Sequence, residues 1–436
     1  MMQQRARAFA GCVVVAITLA FTGMAWAQEL VFWHPFTQPE RIKALEEQAR
    51  KFEAKHPGVK ISTEVVPWQA LPVKWTTSFA AGQMPDVTAG NISLALAMYD
   101  AGAIDRVDDV VQKLGGEKAF VAKPLEMLRY KGAQVALPFY SHARVLLFRK
   151  DWLDEKGLKP PKTWDELMKD AVAMTQPPNR YGMIVPFGKQ DYMGTLWLYI
   201  FTRTARGQFL DKNMNLTFNS PEVVKAAKFL VELYKKASPP GSINFQTGDL
   251  QKAFSAERAN FFFETGFNIS WTASQAPHIA PHLSAIGAPI PEGGQEAAMS
   301  DHIVMMLGKL TKHRALAAEF LASLYEKESY IKFLHLVPGG MMPTMAEVAK
   351  SKEFWAHPLI VQYRPIVEAV MRGIEIGSPI AMENGPNPYS HYIQNLGIVE
   401  QMFQDIVQTN RPVERAVAET HEKLAKLIAE AKAGKQ

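Results

Sequence analysis

Apolar runs and amphipathic stretches alternate regularly along the first part of the chain. The run ELVFWH at 29–34 predicts a buried strand, and apolar residues spaced three and four apart after Pro39 predict a helix that ends at HPG, 56–58. VKISTEVV at 59–66 predicts a second strand, and a third follows another helix in PDVTAG, 85–90. Strands that alternate with helices in this way predict a parallel sheet wrapped by helices.

A second unit of the same kind follows. KPPKTWDEL at 159–167 carries two prolines that stop the preceding chain, and then Thr163 and Glu166 in the spacing of a helix capping box. The apolar runs YGMIVPFG at 181–188 and ANFFFETG at 259–266 predict strands of a second sheet. The pattern therefore predicts two α/β units.

Three residues of the first unit lie where a parallel sheet binds ligands, just beyond the carboxyl ends of its strands. His34, Trp68 and Asn91 each follow one of the three predicted strands. Trp68 offers an aromatic face, and Asn91 an amide able to bind two hydroxyl groups. Core packing is the alternative role for Trp68, and helix capping is the alternative for Asn91.

The first 27 residues have the organisation of a secretory signal. Arg5 and Arg7 precede an uncharged apolar run, and AWA at 25–27 supplies the small residues of a cleavage site. We expect cleavage after Ala27 and export to the periplasm, with a retained membrane anchor as the alternative. Cleavage also removes Cys12, the only cysteine, so we expect stability to come from a large packed core rather than from disulfides.

The composition is that of a globular protein: of 436 residues, 47% are hydrophobic and 21% charged. The formal net charge of +5 is small and dispersed, which argues against binding to nucleic acid or to an anionic membrane surface. The length suits two or three domains.

Motifs of catalysis and metal binding are incomplete. HEKLA at 421–425 lacks the second histidine of a zinc helix, GMIVPFGKQ at 182–190 has the wrong spacing for a phosphate loop, and no G-x-S-x-G is present. His278 and His282 are four residues apart, but prolines interrupt the helix that would align them. We therefore expect no metal, no cofactor and no enzymatic activity. A secreted carbohydrate-active enzyme is the minor alternative.

Several segments, in order, resemble one family of binding proteins. LVFWH, FEAKHPGVKI and FAAGQMPDV are similar to its opening, and LPFY, VLLFRKDWLDEKGL and PPKTWDEL to its most recognisable block. AFSAERANFFFETGFNI, KHRALAAEFLASL and GGMMP are similar to its later parts. The chain thus resembles the extracellular solute-binding proteins of bacterial ABC importers, especially the carbohydrate-binding group that includes maltodextrin- and glycerol-phosphate-binding proteins. It departs from the family at Phe148-Arg149, where Tyr-Asn is usual, at Tyr140, where a small polar residue is usual, and at Phe267, where a tryptophan is usual.

The resemblance implies an α/β, two-lobe periplasmic-binding-protein fold of type II. Each lobe is expected to be a mainly parallel sheet flanked by helices, with the ligand cleft between the lobes. The first lobe is expected to comprise 28–138 and about 300–342, and the second 139–299 and about 343–436. Chain crossings are expected near 137–140 and 299–305, with closure by a hinge motion. The implied partners are a carbohydrate and the ABC permease subunits with their separate ATPase, and we expect a monomer.

The resemblance also directs attention to residues at the crossings and after the glycine-terminated strand. His142 is expected to contact the ligand, with a hinge-stabilising hydrogen bond as its alternative role, and Phe267 and Trp271 are expected as stacking platforms. The remaining candidates from this comparison are Tyr140, Arg144, Glu264, Gly266, Asp301, His302, Gly340 and Met341.

A small phosphorylated polyol, such as a glycerol phosphate, is the alternative ligand. Its phosphate would need a bidentate arginine, for which the sequence offers Arg144, Arg364 and Arg372.

Overall fold

A computed structural model of the protein describes residues 28–68, 70–189 and 191–434, so the predicted signal segment lies outside the described residues. The strands in these ranges are β1 (Gln28–His34), β2 (Val59–Val65), β3 (Val87–Asn91), β4 (Ile104–Asp105), β5 (Arg129–Tyr130), β6 (Ala133–Gln134), β7 (Leu137–Ala143), β8 (Val145–Arg149), β9 (Tyr181–Met183), β10 (Ala259–Glu264), β11 (Leu283–Ile286), β12 (Ser300–Gly308) and β13 (Met342–Pro343).

The helices in the same ranges are α1 (Pro39–Lys55), α2 (Leu71–Ala80), α3 (Ile92–Asp100), α4 (Asp108–Lys113), α5 (Ala122–Glu126), α6 (Lys150–Glu155), α7 (Trp164–Met174), α8 (Met193–Thr204), α9 (Pro221–Ala237), α10 (Thr247–Ser255), α11 (Phe267–Gln275), α12 (Arg314–Ser323), α13 (Lys327–Leu334), α14 (Ala346–Ala349), α15 (Lys352–Trp355), α16 (Pro358–Gln362), α17 (Arg364–Ile376), α18 (Ser390–Gln394), α19 (Ile398–Thr409) and α20 (Val413–Lys432). None of these helices combines the length and the apolar character needed to cross a membrane.

Two separate sheets form the centres of the two lobes. The first lobe has a seven-stranded sheet in the order β13-β7-β12-β3-β1-β2, with β4 paired to β12. The second has a four-stranded sheet in the order β11-β8-β10-β9. Helices α1, α3, α12 and α13 pack on the first lobe, and α7, α8, α9, α19 and α20 pack on the second.

The strand directions correct one prediction. β1 is parallel to β2 and β3, as helical crossovers require, but β12 is antiparallel to β3 and to β7. In the second sheet β8 is antiparallel to β10 and β11, and only β9 and β10 are parallel. Both sheets are therefore mixed rather than mainly parallel. In the first sheet, β12 enters from the other lobe and runs against its neighbours.

The chain passes between the lobes beside a set of hydrogen bonds. β7 pairs with β12 through Ala143 and β8 begins at Val145, so the first passage is at Arg144, four residues beyond the predicted interval. The Arg144 N–H donates to the carbonyl of Met299 at 2.9 Å, and Met299 precedes β12, where the chain returns. The first lobe also extends beyond residue 342, because Met345 forms a bridge with Phe120.

The predicted capping box begins α7, which follows β8 and α6 after the first passage. The Thr163 hydroxyl accepts from the Glu166 N–H at 3.1 Å, and the Glu166 carboxylate accepts from the Thr163 N–H at 3.2 Å. Trp164 and Leu167 then bury one face of α7 against the second sheet. A helix with a fixed start thus packs on the sheet of the second lobe.

Glu400 of α19 is buried beside the N-terminus of α8, where its Oε1 accepts from the Thr195 N–H at 2.7 Å and the Thr195 hydroxyl at 2.8 Å. Burial raises the pKa of Glu400 to about 7. An unfolded glutamate titrates near pH ~4.3, so the folded state binds the proton more tightly. The resulting stability is fully present below that pH and is lost as the pH rises through 7.

We predict that Glu400→Gln removes this decline, which corresponds to up to about 3 kcal/mol of unfolding free energy. Urea unfolding at pH 5 and pH 8 measures the difference, and Glu292→Gln at an exposed position is the matched control. An equal pH dependence in Glu400→Gln and the wild type would contradict the prediction.

Candidate functional site

Side chains of both lobes meet next to the passage at Arg144. β7 and β12 supply Tyr140, His142, Asp301 and His302 from the first lobe. The second lobe supplies Glu264 at the end of β10, Gly266 in the following turn and Phe267 at the start of α11. We call these residues, together with Arg144, the interlobe cluster. The structure thus brings eight predicted site residues to one junction, although they come from three separate parts of the chain.

An ion pair anchors the interlobe cluster. The Arg144 guanidinium pairs with the Glu264 carboxylate, and both side chains are almost fully buried. The second carboxylate oxygen of Glu264 accepts from the Thr265 N–H at 2.9 Å and from the Asn268 amide at 3.1 Å. The pair joins the end of β10 to the interlobe passage. Removing either charge would leave the other buried and unpaired, which costs stability.

The two histidines of the interlobe cluster are neutral. Burial lowers the pKa of each to about 3, and the positive charge of Arg144 contributes at His142. His302 Nδ1 lies 2.8 Å from the Ser141 hydroxyl, and the His142 ring meets Phe267 edge-on with centroids 6.0 Å apart. His142 Nδ1 and His302 Nε2 have no protein partner among the described residues, which leaves each able to bind a hydroxyl group.

Asp301 and two tyrosines extend the cluster toward the second lobe. Burial raises the pKa of Asp301 to about 6, while its Oδ1 accepts from the His302 N–H at 2.8 Å. Burial likewise raises the pKa of Tyr140 to about 12, and it raises the pKa of Tyr192 although the charge of Arg144 acts in the opposite direction. Both phenols therefore stay protonated and can donate hydrogen bonds.

Backbone contact between the lobes depends on glycine. A Cβ on Gly266 would lie 1.9 Å from the carbonyl oxygen of Gly339, and one on Gly340 would lie 2.9 Å from the Phe267 ring. Met341, beside them, is fully buried and serves packing. Only residues without side chains allow the two lobes to approach this closely.

A cavity of about 530 Å³ lies between Trp68 of the first lobe and side chains of the second. Its second-lobe lining consists of Lys189, Asp191, Tyr192, Gln394, Asn395 and Gly397. The charge of Arg144 acts on the Tyr192 hydroxyl, so the cavity adjoins the interlobe cluster. An aromatic ring opposite amides and charged groups suits a solute with apolar faces and polar edges.

A larger cavity, of about 640 Å³, lies elsewhere at the passage between lobes. Its lining combines aliphatic residues such as Pro160, Ile286 and Ile376 with charged ones and includes no aromatic ring. The charged lining residues are Arg144, Lys159, Lys162, Glu296 and Arg372. The Trp68 cavity is therefore the better match to a sugar or polyol.

Three predicted residues have structural roles away from this cavity. The Asn91 side chain accepts from the Leu94 N–H at 2.9 Å and so caps α3, its alternative role. Trp271 donates to the Ser255 hydroxyl of α10 at 3.3 Å. His34 is fully buried and stacks on Phe36, and burial lowers its pKa to about 4.

The arginines considered for a phosphate are each paired with a carboxylate. Arg364 binds Glu368 at 2.8 Å and Arg372 binds Glu296 at 2.5 Å, both at the exposed surface, while Arg144 pairs with Glu264. Within the described ranges no group of three or more histidine, cysteine or acidic side chains is arranged to hold a metal ion.

Sequence reasoning missed Arg41 and Tyr192. Arg41 lies on the buried face of α1 with Leu45 and Phe52, where a charged residue breaks the apolar stripe. That break was a signal for a functional residue, because buried arginines need a partner. Tyr192 had no local signal, since it stands in the segment that leads into α8.

Comparison with known proteins identifies relatives along most of the chain. Residues 37–331 match the family model described as bacterial extracellular solute-binding protein. A chain of Brucella abortus (strain 2308) named as a binding protein is 26% identical over 312 residues, which cover 70% of this chain and 73% of that one. The mannitol-binding protein of Pseudomonas aeruginosa is 27% identical over 208 residues, 44% of this chain and 45% of that protein.

A similar fold occurs in an ABC transporter solute-binding protein of Thermotoga lettingae TMO solved with α-D-tagatose. Its TM-score is 0.76 at 21% identity, and the match covers 92% of this chain and 99% of that one. The likeness confirms the predicted two-lobe α/β fold.

Proposed function

Since the chain belongs to the family of bacterial extracellular solute-binding proteins, we propose that it is the periplasmic receptor of an ABC importer, with a carbohydrate or polyol as its solute. The family is one of binding proteins rather than enzymes. In this proposal the solute enters between the lobes, the lobes close over it, and the closed form delivers it to the permease. A separate ATPase drives the import.

The Trp68 cavity is the observation that carries the proposal. Its volume of about 530 Å³ lies within the usual range for small-molecule sites, ~300–1,000 Å³. Trp68 can stack on the C–H face of a sugar ring, and the Gln394 and Asn395 amides can bind its hydroxyl groups. A relative named for mannitol and a structural neighbour solved with α-D-tagatose support the same class of solute.

Coupling of binding to delivery follows from the contacts between lobes. Gly266 meets Gly339, and the Arg41 guanidinium lies over the Phe267 ring, so both lobes contribute to one closed interface. A solute that contacts both sides binds this form more tightly than the open one and increases its population. The permease would then recognise the closed arrangement of the two lobes.

A thermal-shift panel on the mature protein tests the solute class. We expect stabilisation by one member among monosaccharides, disaccharides, oligosaccharides, polyols and glycerol phosphates. At a hundred times the dissociation constant, the gain is about 2.7 kcal/mol. Unchanged melting with every member of this panel, together with a shift by peptides or polyamines, would overturn the proposal.

Replacing Trp68 by alanine is expected to weaken binding of the best panel solute about 30-fold, because the ring face and about 2 kcal/mol of contact are lost. Isothermal titration calorimetry measures the change. Trp271→Ala, which removes a ring directed at α10, is the matched control and should retain wild-type affinity. Equal losses in the two variants would count against the Trp68 cavity as the site.

A further inference from the structure

Arg41 is a buried cation that bridges the two lobes. Its side chain is 8% exposed, although α1 is a surface helix of the first lobe. The guanidinium carbon lies 5.8 Å from the centre of the Phe36 ring in the first lobe and 5.4 Å from that of Phe267 in the second. The two aromatic faces hold its plane at the junction between lobes.

The protein supplies Arg41 with little compensation for its charge. Burial lowers the pKa of Arg41, and the Tyr140 hydroxyl only partly offsets that effect. The Nε of Arg41 has no hydrogen-bond partner among the described residues. Arg144, by contrast, has the Glu264 carboxylate. A buried guanidinium without a carboxylate is costly, and its unused Nε–H donor suits an oxyanion.

The positive end of a helix also lies at the junction beside Arg41. Phe267 is the first residue of α11, so the positive end of that nine-residue helix faces the same junction. The carboxylate of Glu264, which pairs with Arg144, also accepts hydrogen bonds from the Thr265 N–H and the Asn268 amide.

We propose that Arg41 binds an anionic group, a carboxylate or a phosphate, on the solute, so that the receptor takes an acidic carbohydrate or polyol derivative in preference to the neutral compound. This inference rests on the proposed function, because it assigns the charge of the proposed solute at the interlobe cluster, whose Tyr140 and Phe267 lie against Arg41. It also transfers the role of anion partner from Arg144, Arg364 and Arg372 to a residue on α1.

Matched neutral and acidic solutes test the proposal. Affinities for glucose and glucuronate, and for glycerol and glycerol 3-phosphate, are measured by calorimetry on the mature protein, on Arg41→Gln and on Arg364→Gln. We expect at least one acidic member to bind about tenfold or more tightly than its neutral partner. Arg41→Gln should abolish that preference, and Arg364→Gln, at an exposed position, should retain it.

The ratio of acidic to neutral affinity separates two roles of Arg41. If Arg41 only holds the lobes together, Arg41→Gln weakens both solutes equally and the ratio is unchanged, which overturns the proposal. Tighter binding of the neutral members by the wild type also overturns it but leaves the proposed function intact. Binding of neither type, with no response to any panel sugar or polyol, defeats the proposed function itself. The carboxylate and phosphate arms identify which anion is recognised.

Discussion

Gly266→Ala is expected to lower affinity for the best panel solute about 100-fold while leaving each lobe folded. The added methyl group would lie 1.9 Å from the carbonyl oxygen of Gly339 and 2.5 Å from its carbonyl carbon. These are backbone atoms of the opposite lobe, so the clash is relieved by separating the lobes rather than by turning a side chain. A 100-fold loss of affinity corresponds to about 2.7 kcal/mol of binding free energy, which is the expected cost of keeping the lobes apart.

Calorimetry gives the affinity, and small-angle scattering with and without solute reports the closure. Gly287→Ala is the matched control, because no atom lies within 4 Å of the added methyl group. The far-UV circular dichroism of both variants should equal that of the wild type. Wild-type affinity and solute-induced compaction in Gly266→Ala would show that contact at Gly339 is not part of binding.

Glu264→Gln is expected to lower the unfolding free energy by about 4 kcal/mol. The change keeps the shape of the side chain but leaves the Arg144 guanidinium buried without its carboxylate. Removing one partner of a buried ion pair typically costs ~3–5 kcal/mol of unfolding free energy. This exceeds the stability that the intact pair gives in comparison with a pair of apolar residues. In the wild type, the Thr265 N–H and the Asn268 amide donate to the Glu264 carboxylate. If the glutamine NH₂ group takes that position in the variant, it places a donor opposite these two donors.

Chemical denaturation at pH 7 measures the loss, and a double-mutant cycle assigns it to the pair. Arg144→Met combined with Glu264→Gln should be more stable than the sum of the single losses predicts, because no unpaired charge remains. Glu296→Gln breaks an exposed pair with Arg372 and should cost at most about 1 kcal/mol. A loss of that small size in Glu264→Gln would contradict the buried-pair account.

Much of the candidate site could be predicted because its residues stand at ends of elements that local patterns reveal. Trp68 follows β2, Glu264 ends β10, and Gly266 precedes α11. The family resemblance added His142 and Asp301 at the crossings. The sequence could not tell which of these positions face the solute. Trp271 and Asn91 stand at similar ends of elements, but their side chains bind local partners in the structure.

Arg41 and Tyr192 could not be placed from sequence, for a different reason. Arg41 is more than 200 residues from Phe267 along the chain, and Tyr192 reaches Arg144 and the Trp68 cavity only when the lobes meet. The direction of β12 was also decided by its entry from the other lobe. Periodicity reports the partners of a residue within its own helix or strand, not those across an interface.

By itself the sequence determined the two α/β units, the capped start of α7 and the apolar faces of the helices, because these depend on contacts within a few residues of the chain. Only the tertiary structure decided which side chains meet between the lobes, where the glycines allow contact, and which buried charge lacks a counter-charge. Those properties arise from long-range packing, in which residues distant in the chain exclude water together and their charges and hydrogen bonds must balance.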